Sequence, residues 1–196
     1  MLWWCCLARD THVALVMRRP ARLYRLHKHV PYHTLQDGAA SIQHVDSSGN
    51  KRPGMGYAAF LTLTARLTVT IARILANDFA DMPDNPNRGD AVFESCERQL
   101  ISWSIAFSET FPGAGQKQER LNRETGPFLV VSLIIHDASI NALYLPRVLQ
   151  ARQAHRESAP KVRQYSETMR RAAVRTAVFI NEALESKWAD SIPTQL

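Results

Sequence analysis

The sequence predicts an all-α protein, a helical bundle-like domain with long loops between its helices. Apolar residues recur at steps of three and four in several long segments, which is the spacing of one helix face. Clusters of proline and glycine separate most of these segments. No segment shows the alternation of apolar and polar residues that is typical of a half-buried strand.

The N-terminal part of the chain is predicted to form a buried helix over residues 2–17, which ends before Pro20. Residues 1–23 are the first predicted unit, this helix followed by an Arg-Pro corner. Residues 24–56 lack sustained periodicity and contain several turn-forming proline, glycine and asparagine residues. This composition predicts a long linker.

Residues 57–188 are predicted to hold the remaining helices, and residues 189–196 a C-terminal tail. The second helix is expected to begin near Tyr57. Its apolar stripe consists of Phe60, Leu63, Leu67, Ile71 and Ile74. A loop over residues 81–90 is expected before the third helix, which ends near Phe111. The apolar face of the third helix consists of Val92, Cys96, Leu100, Trp103 and Phe107.

Two further helices are predicted after Pro127 and Pro160, since a proline suits the first turn of a helix. The fourth helix is apolar on nearly all sides, which predicts a central position in the bundle. Pro146 is expected to break or kink it near its end. The stripe predicted for the fifth helix consists of Val162, Tyr165, Met169, Ala173, Ile180 and Leu184.

Charge is unevenly distributed along this chain, whose net charge is +6. Residues 1–35 and 147–175 are basic, whereas residues 76–99 are acidic. Basic segments of this kind are typical of proteins that bind nucleic acid or acidic partners. The alternative is a solvated basic surface that balances the acidic segment within the fold, and we favour this second interpretation.

The cysteine content predicts an intracellular protein, because the odd set of Cys5, Cys6 and Cys96 lacks the spacing of a disulfide framework. The apolar start of the chain has no basic residue before it and no small-residue cleavage site after it, so no signal peptide is expected. No 18 apolar residues run uninterrupted, so no membrane span is expected.

The most specific sequence pattern lies in the first 23 residues. It consists of Trp3-Trp4, Arg9-Asp10, Ala14-Leu15, Arg19-Pro20 and Leu23. This pattern resembles the regulatory domain of fungal zinc-cluster transcription factors, and it is most similar to the regulators of cutinase and fatty-acid utilisation. Weaker similarities to the same domain continue to about residue 185. They are residues 67–75, Leu100-Ile101-Ser102-Trp103, Ile135-His136 and Ala172-Ala173.

The resemblance implies a nuclear protein that takes part in the regulation of transcription and is not an enzyme. The residues that carry it are Trp3, Trp4, Arg9, Asp10, Arg19 and Pro20. All of them are expected to determine the fold and none to bind a ligand. The indole N–H groups need partners if the tryptophans are buried, and the adjacent Arg9 and Asp10 require pairing inside an apolar helix. Arg19 is expected to tether carbonyl groups or a carboxylate at the corner.

The family's six-cysteine zinc cluster, and the helices that precede its tryptophan pair, have no counterpart in this sequence. We therefore expect that the chain begins inside the regulatory domain and holds no cofactor of its own. Contact with DNA is expected only through the absent zinc cluster. The expected partners are other proteins or the missing N-terminal half of the regulator, and no membrane.

An alternative interpretation is an all-helical, HD-type metal-dependent phosphohydrolase, suggested by His136-Asp137. That chemistry needs a second histidine and aspartate around a metal that activates water, and His12 and Asp78 are the available candidates. Two loop clusters also contain metal-ligand residue types, and we favour incidental or structural roles for them. They are His27, His29 and His33, and Asp78, Asp81 and Asp84.

A third interpretation is a basic helical module that binds nucleic acid. It requires the arginines between Arg147 and Arg175 to gather on one face of the protein.

Overall fold

Five helices form the framework of the protein. The structure, a computed structural model, describes residues 2–25, 43–45, 51–53, 55–78, 86–112, 126–154 and 159–185. The helices are α1 (Leu2–Met17), α2 (Met55–Asp78), α3 (Pro86–Thr110), α4 (Gly126–Gln153) and α5 (Pro160–Glu185). They supply the hydrophobic core of the described residues, so the prediction of an all-α fold is confirmed.

A short antiparallel hairpin lies in the segment predicted to be a linker. Its strands are β1 (Gln43–Val45) and β2 (Lys51–Pro53), with His44 opposite Arg52. The sequence analysis did not anticipate the hairpin, because three residues are too few for an alternating pattern to be recognised. The serine, glycine and asparagine residues between the strands are types that favour turns.

The helix boundaries follow the predictions closely except at the start of α3. α1 ends at Met17, as expected, and α2 begins two residues before Tyr57. α3 begins at Pro86, inside the predicted loop over residues 81–90. The prediction for this boundary was wrong because the prolines of this segment, Pro83 and Pro86, are typical of loops as well as of helix starts. A proline without an N–H group is instead compatible with a first helical turn, where that group has no partner within the helix.

Pro146 lies within α4, and the helix continues beyond it to Gln153, so the predicted break is wrong. An interior proline removes one backbone hydrogen bond and destabilises a helix by about 3 kcal/mol. The neighbouring side chains of Tyr144 and Val148 are buried in the protein. Tertiary packing on both sides of the proline offsets the lost hydrogen bond.

α4 occupies the centre of the bundle, as its uniform apolar character predicted. It contacts each of the four other helices. The apolar stripes of α2 and α3 meet beside it in the main hydrophobic cluster, together with side chains of α4. The fully buried members from these two stripes include Leu67, Ile71, Ile74, Cys96 and Phe107.

Two smaller clusters attach the outer helices. Trp4 and Leu7 of α1 pack with Ala65 of α2, and Val130 of α4 packs with Phe179 of α5. Each outer helix therefore has its own apolar contact with the helix beside it.

The buried face of α5 differs from the predicted stripe in its second half. Tyr165 and Met169 pack against the main cluster as expected, but Ile180 and Leu184 are exposed. In that half of the helix the buried residues are Ala172 and Phe179, in place of the predicted Ala173, Ile180 and Leu184. The periodicity did not select the correct face because α5 is apolar on more than one side after residue 172.

Two helical segments are long and apolar enough to cross a membrane by length and composition alone. They are Ala58–Asn77 and Gly126–Gln153, with mean hydropathies of 1.5 and 1.7. The rule of 18 uninterrupted apolar residues was therefore too strict to exclude a span. In both segments 56% of the most apolar window is buried inside the protein, and core helices of soluble proteins meet the same criteria.

α1 ends in a Schellman motif with a non-glycine residue at its left-handed position. Arg18 has a φ of 48°, and its N–H donates to the Leu15 carbonyl at 3.3 Å. The N–H of Arg19 donates to the Ala14 carbonyl at 3.0 Å. These two bonds satisfy carbonyl groups at the helix end, and Pro20 follows where the helix cannot continue. A side chain with a Cβ atom is strained at this φ.

We expect Arg18→Gly to raise the free energy of unfolding by about 1 kcal/mol, because glycine adopts positive φ without a steric cost. Urea unfolding of the purified chain measures this difference. Arg18→Ala is the matched control, since it removes the guanidinium and keeps the strained backbone. Equal unfolding midpoints for the glycine and alanine variants would contradict the prediction.

Candidate functional site

Asp10 and Arg19 fix the chain where it leaves α1. The Asp10 carboxylate accepts a hydrogen bond from the Leu23 N–H at 2.9 Å and lies 3.5 Å from Arg19 Nη2. Arg19 Nη1 also donates to the Pro20 carbonyl at 3.2 Å. Arg19 thus tethers both a carboxylate and a carbonyl group, as its pattern predicted. We call this arrangement the α1 corner, defined by Asp10, Arg19, Pro20 and Leu23.

The other motif residues of α1 take different positions. Trp4 is buried in the α1–α2 cluster, while Trp3 and Leu23 pack against the edge of that cluster. The Trp3 indole N–H is buried and has no hydrogen-bond partner among the described residues, which differs from the expected pairing. Arg9 is exposed, so its charge is not buried as the apolar character of the helix suggested.

His136 lies buried at the junction of α3 and α4. Its Nε2 atom lies 3.2 Å from the carbonyl oxygen of Leu100, and its ring stacks on Trp103 with the centroids 4.9 Å apart. A carbonyl oxygen only accepts hydrogen bonds, so Nε2 carries the hydrogen. Trp103 in turn donates its indole N–H to the Leu63 carbonyl of α2 at 2.8 Å.

Asp137 is an almost fully buried carboxylate with one counter-charge from α5. Arg175 donates from both Nε and Nη2 to its two oxygens, with the Nε contact at 3.2 Å. The Nδ1 atom of His136 lies 3.5 Å from the same carboxylate. The arginine side chain is 53% exposed, so the pair lies at the edge of the core. The sequence analysis proposed no partner for Asp137, because the sequence separation of 38 residues gives no local signal.

The residues proposed for the phosphohydrolase interpretation do not assemble into a metal site in the described part of the chain. No group of three histidine, cysteine, aspartate or glutamate side chains there has the arrangement needed to hold a metal ion. His136 and Asp137 are engaged by Leu100, Trp103 and Arg175, as described above. The Asp78 side chain and the two loop clusters, His27, His29 and His33 with Asp81 and Asp84, lie outside the described residues.

Four arginines of the basic segment near the C-terminus, Arg147, Arg170, Arg171 and Arg175, are paired with carboxylates within the chain. Arg147 forms an ion pair with Asp90 at 2.6 Å and lies over the Phe93 ring. Arg170 and Arg171 both bind Glu167, and hydrogen bonds from the two guanidinium groups lower the pKa of Glu167 to about 2. These contacts favour the interpretation in which basic residues balance acidic ones inside the fold.

A groove of about 480 Å³ separates α2 from α3. Its apolar surface comes from Leu63, Val69 and Trp103. Arg66 and Thr70 line it from α2, and Ser95, Arg98, Gln99 and Ser102 line it from α3. A volume of this size suits a small-molecule ligand. The polar residues of this lining were not identified from the sequence, because polar side chains four apart on a helix also describe an ordinary solvated face.

Comparison with known proteins assigns no family or function to this chain, so a proposal for its function rests on the contacts within the structure. The sequence matches no protein-family model, and no curated protein or solved structure is similar to it at a significant level.

Loss of the Arg175 guanidinium should destabilise the protein by about 2 kcal/mol, because Asp137 would remain buried without its counter-charge. This estimate lies below the full cost of breaking a buried pair, since water screens the half-exposed arginine. Chemical unfolding of Arg175→Met measures the effect. Arg171→Met is the control, because its partner Glu167 lies at the surface. Equal losses of unfolding free energy for the two variants would show that the Asp137–Arg175 pair contributes no more than a surface ion pair.

Stability should fall as the pH drops below about 6.5, because burial lowers the pKa of His12 below its ordinary value of 6.5. The unfolded chain then binds the proton more readily than the folded chain, with a slope of at most about 1.4 kcal/mol per pH unit. Unfolding free energies between pH 5 and 7.5 test this, with His12→Gln as comparison. Parallel profiles for the wild type and the variant would rule out a contribution from His12.

Proposed function

We propose that this chain is a helical regulatory domain, or part of one, of the fungal zinc-cluster transcription factor type. The observation that carries the proposal is the α1 corner. Four residues of the pattern that carries the resemblance, Asp10, Arg19, Pro20 and Leu23, form one connected set of hydrogen bonds and an ion pair there. A chance match in an ordinary amphipathic helix gives no reason for residues 13 positions apart to bind each other.

A second contact supports the same proposal. The weaker similarities at Leu100-Ile101-Ser102-Trp103 and Ile135-His136 lie on different helices. His136 of the second segment contacts both the Leu100 carbonyl and the Trp103 ring of the first. Two segments that carry the resemblance therefore form one buried junction, which is consistent with a shared architectural pattern.

The exposed face of α1 is consistent with further protein contacts. Val16 and Met17 are 80% and 66% exposed, and Val13 beside them is also exposed. In the proposed function, the preceding helices of a longer regulator or a separate protein partner cover this side of the bundle. Under this proposal the protein acts in the nucleus.

Tethering to a promoter tests the proposal directly. The chain is fused to a heterologous DNA-binding domain in a fungal host, and transcription of a reporter is compared with that given by the DNA-binding domain alone. We expect a change of at least about threefold in either direction, because a regulatory domain acts through proteins recruited at the promoter. Arg163→Ala, an exposed substitution on α5, should retain the effect, whereas Trp103→Ala should abolish it by removing the central junction.

The opposite result is equally clear. A wild-type fusion that is folded, nuclear and bound at the promoter, but leaves the reporter at the level of the DNA-binding domain alone, would contradict the proposal. Mapping the 5′ end of the transcript provides an independent check. An in-phase reading frame upstream that encodes a six-cysteine cluster would support it.

A further inference from the structure

Among the residues that the structure describes, two arginines and no acidic residue line the groove between α2 and α3. Arg66 lies on the α2 side and Arg98 on the α3 side. The remaining polar side chains of the lining are neutral hydroxyl and amide groups. Two guanidinium groups on one small cavity create a positive potential that is favourable for an anion and unfavourable for a cation.

Both arginines are available to bind a ligand. Arg66 forms no ion pair with any acidic residue in the part of the chain that the structure describes. Arg98 approaches Glu94 at 3.9 Å, but both side chains are well exposed, and an exposed pair of this kind contributes little. Elsewhere in the protein, Arg147 and Arg175 have close carboxylate partners. A ligand that binds Arg66 and Arg98 would therefore displace little internal pairing.

The groove has a rigid apolar floor. The Trp103 indole is fixed by its hydrogen bond to the Leu63 carbonyl and by stacking against Phe107 and His136. Val69 completes the apolar part of the lining. Because these groups are held by contacts with three helices, the cavity exists before any ligand arrives, which lowers the cost of ordering on binding.

An adjoining hollow of about 330 Å³ extends the groove along α3. Arg98 and Ser102 line both cavities, and the hollow adds the apolar side chains of Ile101 and Ile105, which are 56% and 55% exposed. Glu109 also lines the hollow. The combined surface thus has two arginines in the groove, apolar side chains along α3, and one carboxylate, that of Glu109, in the hollow.

We propose that this surface binds a small organic monoanion, a molecule with one carboxylate or sulfonate group and an apolar body. The anionic group lies between the Arg66 and Arg98 guanidinium groups, which are the charge-assisted donors of the site. The apolar body covers Val69 and Trp103 and continues toward Ile101 and Ile105. Glu109 disfavours a second negative charge at the far end, and this selects a monoanion over a dianion.

The test uses three probes that share one apolar body and differ in their charge. They are 4-trifluoromethylbenzoate, 4-trifluoromethylbenzyl alcohol and 4-trifluoromethylbenzylammonium, observed by fluorine NMR during titration with the full chain. We expect the benzoate to bind most tightly, the alcohol at least about tenfold more weakly, and the ammonium ion not measurably. A hydrogen bond from a charged group contributes a factor of this order.

Single substitutions identify which residues of this surface bind the probes. Arg66→Gln and Arg98→Gln should each weaken benzoate binding about tenfold, and Ile101→Ser should weaken the benzoate and the alcohol alike. Arg163→Gln is the matched control, an exposed arginine on α5 that should leave the affinity unchanged. All four positions are exposed, so thermal unfolding should be unaltered.

Equal affinities for the anionic and cationic probes would overturn the proposal. So would benzoate binding that neither Arg66→Gln nor Arg98→Gln weakens, or no binding of benzoate at millimolar concentrations. The outcome is independent of the reporter experiment, because the probe binds to the purified chain without DNA or nuclear partners.

Discussion

The indole ring of Trp103 is the contact on which the arrangement of the central helices depends. It donates a hydrogen bond to Leu63 of α2 and stacks on His136 of α4, while His136 contacts the Leu100 carbonyl of α3. Apolar packing alone does not specify how far one helix slides along another, because it has no direction. The hydrogen bonds of Trp103 and His136 to backbone carbonyls of neighbouring helices, with the stack between the two rings, fix that register.

The polar groups of the interior divide into two kinds with different energetic consequences. The Trp103 indole N–H and His136 Nε2 both have backbone carbonyl partners within the core, and these contacts specify geometry at small cost. The Asp137–Arg175 pair is charged and lies where α5 meets α4. Any orientation of α5 that separated Arg175 from Asp137 would leave a buried carboxylate without its counter-charge, which is energetically costly. The pair therefore fixes the position of α5 in addition to binding it to α4.

The sequence predicted the helices well and the long-range polar contacts poorly. The stripes of α2 and α3 were identified correctly because their polar and apolar sides are clearly separated. The second half of α5 was assigned to the wrong face, since Ala172 and Phe179 compete there with Ile180 and Leu184 for the core. Arg175 was counted among the basic residues of a surface, because only the folded backbone brings it to Asp137. The groove lining was missed for the same reason: Arg66 and Arg98 meet only after α2 packs against α3.

The attachment of α5 has a consequence for how the molecule opens. Its contacts run principally to α4, whereas α4 contacts all four other helices. An outer helix held by one neighbour is able to detach in a partial unfolding event that costs less than loss of the whole fold. Amide protons of α5 are then expected to exchange with solvent sooner than those of α2 or α3. Such an opening would briefly expose the side of α4 that carries Asp137. This side would then be the first buried surface that a protease or a chaperone reaches.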